Sequence, residues 1–342
     1  MTHASISAGL GARRRQRLEE ELEESGLPGD GDDPLRRALI EEVDYALRPP
    51  VHERRISSSG TILAPSTDPA AWAVGTELRI ARLPIAQYPA RSARQYADGL
   101  SSWLLRHGHD HPDEWLLFDR PAGSERDLVV LANVLGATIV QRHPSGAVRV
   151  VGDFGVLRWE GFSWYHEPPV SSWVDLIAGF SSVGDAKVLK AMLAFAVHDL
   201  GSLGIGALLV YRAGEVGEPA AHRSASLVED PLPTPPPLNI RAVSHLAPLR
   251  HALAQVDGAA VFSRDGVLRR LGARLVPSPE AVTAVAAEAA LGGTRHTSGL
   301  RYTYDDPESI VIAVSEDGPV SILRQGQVLG RSVLAGSDGS VP

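Results

Sequence analysis

A chain of 342 residues is long enough for two domains, each with its own core. With 44% hydrophobic and 22% charged residues it has the balance of a globular protein, not a disordered one. A net charge of −8 argues against a broad nucleic-acid-binding surface, and the absence of cysteine excludes disulfides, thiolate nucleophiles and Cys-based zinc sites.

Cysteine usage predicts a reducing, cytoplasmic setting. No stretch has the apolar core of a signal peptide, and the apolar run over 191–197 is too short for a bilayer, so a soluble protein is expected. Residues 1–33 read as a charged, flexible tail in which RRRQRLEEELEESG allows a short helix with Arg/Glu pairs four apart. The spacing of Leu35, Ala38, Leu39, Val43 and Leu47 predicts a helix. A further helix is expected over 92–106, a buried strand at WLLF (115–118), and a helix over 127–135 ended by Gly136. ATIVQRH, AVRVVG, GVLRWEG and FSWYHEP then alternate with glycine-marked turns, the pattern of an antiparallel meander.

The second half has a different rhythm. An apolar helix is expected over 188–197, a buried strand in GIGALLVYR (204–212), an extended proline-rich loop over 231–240 and a helix over 244–254. DGAAVFSRDGVLRRLGARL (257–275) reads as a hairpin turning at Asp265-Gly266, and PEAVTAVAAEAAL (279–291) as one helix with proline in its first turn. ESIVIAVSEDGPVSILRQG closes with a hairpin around Asp317-Gly318. The expected layout is a tail (1–33), a regulatory α/β domain with the meander (34–180), a second domain (181–335) and a tail (336–342).

Several motifs bear on chemistry. HGHDHPDE (107–114) resembles a metal cluster, but ligands must converge from separate parts of a fold, which favours a polar surface turn. GSLGIGALL lacks the third glycine of a dinucleotide fingerprint and precedes a strand instead of following one. No P-loop or nucleophile elbow is present. Trp159, Trp164, Tyr165 and Trp173 suit core packing, with a stacking surface as the alternative. Asp257 opens an apolar strand before Gly258 and Ala259; it either caps the strand or holds a metal, with small neighbours that admit a ligand close to the backbone. In GGTRHTSG (292–299), Thr294, Arg295, His296, Thr297 and Ser298 are all hydrogen-bond donors. Placed after a helix C-terminus, this loop would meet an unfavourable dipole, so its side chains would have to supply any anion binding.

The order G-I-G-A-L-L-V, D-G-A, L-G-A-R-L, G-T-R-H and V-S-E-D-G-P-V-S resembles the diadenylate cyclase family over about residues 185–335. The resemblance implies a mixed sheet flanked by helices, and condensation of two ATP into cyclic di-AMP with release of pyrophosphate. It implies that Asp257 binds Mg²⁺ or Mn²⁺ and helps activate the ribose 3′-hydroxyl. Gly258 and Ala259 would lie against ATP and Leu275 would pack on adenine. Thr294, Arg295, His296 and Thr297, with Ser315 and Glu316, would contact the triphosphate. It also implies a homodimer of facing domains, each with its own ATP. One departure stands out: better-known members read R-H-R where this chain has Arg295-His296-Thr297, which keeps open a degenerate nucleotide sensor as the alternative. Neither the DNA-binding module nor the membrane anchor of other members is seen in the sequence, so no nucleic-acid or membrane partner is expected. The segment 34–180 resembles sensor-like domains placed before some cyclases.

Overall fold

The computed structural model describes residues 3–29, 34–52, 55–65, 78–85, 90–107, 114–159, 161–178, 183–213, 226–228, 234–290, 292–317 and 319–332. The chain divides after Pro169 into two compact units, the second being Val170–Ser332. The boundary therefore precedes the one expected near residue 180, because the helix that begins at Val170 contributes Val170, Trp173 and Ile177 to the second core.

The first unit runs α1 (His3–Glu24), α2 (Pro34–Leu47), a ribbon of β1 (Val51–His52) and β2 (Arg55–Ile56), then β3 (Ser59–Leu63), β4 (Ile80–Pro84), α3 (Ala90–Ala93), β5 (Ser102–Arg106), β6 (Glu114–Phe118), α4 (Glu125–Leu135), β7 (Thr138–Arg142), β8 (Val148–Gly152), β9 (Gly155–Trp159) and β10 (Trp164–Glu167). Its eight-stranded sheet has the order β10-β9-β8-β7-β3-β5-β6-β4. Only the β3–β5 pairing is parallel. Strand alternation sends Ile62, Ile139, Val151 and Val156 to the face covered by α4. Leu63, Val140, Val150 and Leu157 go to the face covered by α1 and α2. The expected meander is β7 to β10. Trp164 is buried in its core, 5.5 Å from the half-buried Trp159 ring.

Two expectations fail here for physical reasons. The segment read as a flexible tail is the 22-residue helix α1, whose Leu18 and Leu22, with Leu27 beyond it, are buried against α2 and the sheet. Arg36 fastens the pair by donating to Glu19 at 2.6 Å and to Glu23. Charge density hid an apolar stripe of few residues. Leu22→Ala should accordingly destabilise the first unit by about 3 kcal/mol, the cost of a buried leucine cavity. Urea unfolding followed by circular dichroism measures this, and an unchanged midpoint would contradict the packed helix. The expected helix over 92–106 is instead α3, a 3₁₀ turn (Arg94–Tyr96) and strand β5. Trp103, Leu104 and Leu105 are consecutive and all fully buried, the signature of a strand covered on both faces.

The second unit contains α5 (Val170–Ala178), α6 (Val183–Phe195) with a π-helical turn (Ala196–Leu200), β11 (Ala207–Arg212), β12 (Ser226–Val228), α7 (Val243–Leu253), β13 (Ala259–Ser263), β14 (Leu268–Val276), α8 (Pro279–Ala284), α9 (Ala286–Ala289), α10 (Thr294–Asp305), β15 (Ile310–Val314), β16 (Val320–Arg324) and β17 (Gln327–Arg331). The sheet order is β12-β14-β13-β11-β15-β16-β17. It is mixed, with β11 and β13 parallel and the other neighbours antiparallel. Helices α5, α6 and α7 cover the face of Leu209, Phe262, Ile312 and Ile322. Val285, Ala289 and α10 cover the face of Leu208, Val261, Val311 and Leu323. This is the helix-flanked mixed sheet expected for the C-terminal half.

The single helix expected over 279–291 is broken at Val285 (φ −102°, ψ 16°) into α8 and α9, and a new helix, α10, begins at Thr294. Gly299 lets α10 approach the sheet, since a Cβ there would lie 2.6 Å from Leu323 Cδ1. The far end of α10 is anchored: buried Asp305 accepts from the Ser278 backbone N–H (2.7 Å) and hydroxyl (2.6 Å). Next to it, Arg212 pairs with Asp306 at 3.2 Å. Among the described residues no helix is long and apolar enough to cross a membrane. Most of HGHDHPDE, residues 108–113, lies outside the described residues, and so do residues 231–233 of the proline-rich segment.

Candidate active site

One end of the second sheet, where β13 starts and β15 finishes, carries a cleft of about 400 Å³. Its lining joins residues far apart in sequence: Asp257 before β13, Gly292 to His296 at the start of α10, Val314 at the end of β15 and Ser315 just after it, and Ser321 and Arg331 from β16 and β17. Asp257, Thr294, Arg295, His296 and Ser315, all singled out in the sequence, thus come together in one cavity.

The loop expected to trail a helix C-terminus is in fact a helix N-terminus, which reverses the electrostatics. Gly293 is the N-cap of α10 and makes no side-chain capping bond. The first intrahelical bond is Thr297 N–H to Gly293 carbonyl at 3.0 Å. Preceding N–H groups of the first turn therefore have no intrahelical acceptor, and the positive end of the dipole faces the cleft. Backbone and Arg295 act in the same direction here, as an anion site requires. What the sequence concealed was the break at Gly292-Gly293, which ends one helical segment and starts another.

Arg295 donates to Glu316 across 3.0 Å, with both side chains partly or largely exposed. Such a pair is worth only about 0–1 kcal/mol, so a polyphosphate can draw the guanidinium away from it. Beneath the guanidinium lies Gly206, where a Cβ would stand 2.4 Å from Arg295 Nη1. The second glycine of G-I-G, which made no sense as a dinucleotide fingerprint, leaves room for this arginine.

His296 is half-buried, and both its ring nitrogens are shielded from solvent without a protein hydrogen-bond partner. Burial, reinforced by the positive charge of Arg331 and opposed by Glu288, holds its pKa below the ordinary 6.5. The imidazole is therefore neutral at physiological pH. In the unfolded chain it takes up a proton near 6.5, but in the folded chain only at lower pH. Stability from this group is thus complete above 6.5 and is lost as pH falls below it. His296→Gln should flatten that acid limb relative to wild type when unfolding free energies are compared at about pH 5 and about pH 7. Equal slopes would contradict a buried, neutral imidazole.

Asp257 is exposed in the cleft and has no hydrogen bond or ion pair among the described residues. Nor is there any group of three or more His, Cys, Asp or Glu among the described residues placed to hold a metal. A single free carboxylate suits a hard cation that takes its other ligands from water and substrate phosphates, the habit of Mg²⁺.

Five residues expected at the nucleotide do not line the cleft. Gly258 has φ +100° and brings β13 against β14, a Cβ there standing 2.7 Å from the Gly272 carbonyl carbon. Ala259 is fully buried opposite Ala273. Leu275 is partly buried against the α10-side core. The Thr297 hydroxyl donates to the Ala289 carbonyl at 3.1 Å, so it braces the α9–α10 junction. Glu316 reaches the site only by holding Arg295. In return the cleft includes Ser321, the last residue of V-S-E-D-G-P-V-S but given no role there, and Arg331, which the sequence did not reveal because β17 carries no turn or periodicity signal beyond the closing hairpin.

Residues 195–328 match the family model for the DisA bacterial checkpoint controller nucleotide-binding domain, and residues 16–167 match that for the probable sensor domain DACNK. No curated protein matches the chain. Among solved structures, a crystal structure of a hypothetical membrane spanning protein from Bacillus cereus is 16% identical over 49% of this chain and 81% of that one, with a TM-score of 0.28. That likeness is too weak to bear on fold or function. The chain thus carries a DAC domain of the DisA nucleotide-binding type at 195–328, preceded by a probable DACNK sensor domain at 16–167.

Proposed function

We propose that the second unit is a diadenylate cyclase, converting two ATP into one cyclic di-AMP and two pyrophosphates. The observation that carries this reading is the convergence of free Asp257, the uncapped start of α10, Arg295 and Ser315 in one cleft. In each half-reaction a ribose 3′-oxygen attacks the α-phosphorus of the other ATP. One P–O bond forms, the bond to the pyrophosphate leaving group breaks, and the hydroxyl proton departs. Two such steps close the ring.

Phosphoryl transfer asks chiefly for alignment and for neutralisation of charge. The N–H groups at the head of α10 and the Arg295 guanidinium hold the β- and γ-phosphates, and the Ser315 hydroxyl donates beside them. Asp257 would hold Mg²⁺ or Mn²⁺, which supplies charge neutralisation and a more acidic 3′-hydroxyl when bound. Leu275, partly buried and outside the cleft lining, would meet the adenine only where the nucleoside extends beyond the cleft. Each chain has one such domain, so a second copy must present the other ATP, in a homodimer of facing cyclase domains. The DACNK unit would set how often that encounter is productive.

A second reading, an ATP or cyclic di-AMP sensor without turnover, is favoured by Thr297, whose hydroxyl is spent on Ala289. Incubating the full chain with ATP and Mn²⁺ or Mg²⁺ and seeking cyclic di-AMP by mass spectrometry separates the two. Product is expected. Saturable ATP binding without product would establish the sensor, and no binding would sink both.

A further inference from the structure

A cationic side chain outside the expected motifs faces the cleft. Ala313, Ser321 and Arg331 form a row across β15, β16 and β17: Ala313 is paired with Ser321, and Ser321 with Arg331. Directly paired residues project from the same face of a sheet, and all three line the cleft. Ala313 and Ser321 are small and add little bulk to this wall of the cleft. The Arg331 side chain makes no hydrogen bond or ion pair among the described residues, and the residue is exposed. Its charge is felt at His296, on the facing helix.

The orientation depends on an irregularity. The β16–β17 hairpin turns at Gln325-Gly326, both with positive φ, and starts with Arg324 opposite Gln327 and Leu323 opposite Val328. Had that register continued, Gly330 would face Ser321 and Arg331 would face Val320, turned to the opposite side of the sheet. A register shift between Ile322 and Leu323 places Gly330 opposite Ile322 and Arg331 opposite Ser321 instead. A one-residue shift flips every side chain beyond it, and bulges serve to re-aim side chains in this way.

We infer that Arg331, turned into the cleft by the β17 bulge, is a phosphate-binding residue that supplies the second guanidinium absent at Thr297. The inference rests on the reading of the cleft as a triphosphate site. Helix α10 and Arg295 then grip the anion from one wall and Arg331 from the floor strand, so the site departs from R-H-R in sequence while keeping two arginines in space.

The test uses the full chain with 3′-deoxy-ATP, which lacks the attacking hydroxyl, and Mn²⁺. Arg331→Met should weaken binding by about ten- to a hundredfold, the worth of one charge-assisted contact, while Arg331→Lys recovers part of it. Without nucleotide, Arg331→Met should melt with wild type, and the nucleotide-induced rise in melting temperature should shrink in the variant alone. Wild-type binding with an unchanged Arg331→Met affinity would overturn the inference and leave the cyclase reading standing. So would a variant that melts early yet keeps its nucleotide-induced rise. Failure of wild type to bind would overturn both.

Discussion

Asp257→Asn should lower cyclic di-AMP formation by about 10³-fold, roughly 4 kcal/mol of transition-state stabilisation. The substitution keeps size and shape and removes only charge. Because Asp257 is exposed and unpaired, nothing in the fold depends on that charge. A surface change of this kind shifts stability by less than about 0.5 kcal/mol, so the melting temperature should not move. Metal-free ATP binding should also persist, because α10, Arg295 and Arg331 remain. The effect belongs to the divalent-dependent step and should appear in kcat measured with saturating Mn²⁺ and ATP. A variant retaining more than a tenth of wild-type turnover would remove Asp257 from the chemistry.

Gly258→Ala should be the most damaging single-methyl change near the site, costing about 3 kcal/mol or more. Two terms add. A left-handed backbone with φ +100° penalises any Cβ by about 1–2 kcal/mol. The new methyl would also stand 2.7 Å from the Gly272 carbonyl carbon and 2.8 Å from its oxygen. Those are backbone atoms of β14 that cannot swing aside, and overpacking of this kind costs about 1–3 kcal/mol. Gly293→Ala is the matched control: its surroundings are open and its φ is −74°, so it should cost less than about 1 kcal/mol. Urea midpoints of the two variants make the comparison. Equal effects would mean that Gly258 serves a ligand, as its motif first suggested, and not the sheet.

That contrast shows how far the sequence could be read. Strands with plain alternation or glycine turns, β7 to β10 and the β13–β14 hairpin, were legible because period and punctuation agree. Strand β5 was not, because Trp103, Leu104 and Leu105 are buried on both faces and show no alternation. Helix α1 was legible only as a short helix within a flexible tail, because its two buried leucines, Leu18 and Leu22, stand among many charges. In the site, residue identities were legible from motif order, whereas two geometric facts were not. The dipole at GGTRHTSG had the opposite sign, since Gly292-Gly293 separates two helices instead of ending one. Arg331 was invisible because its direction is set by a register shift, which depends on hydrogen bonding between strands and leaves no local signature.

If the head of α10, Arg295 and Asp257 form one polyphosphate and metal site, a crystal structure of the full chain with 3′-deoxy-ATP and Mn²⁺ will show it. The β- and γ-phosphate oxygens should lie within hydrogen-bond distance of the first-turn N–H groups of α10, Arg295 should be released from Glu316, and anomalous density for manganese should stand against the Asp257 carboxylate. Nucleotide bound elsewhere, or bound here with its phosphates turned away from α10 and no metal at Asp257, would contradict it.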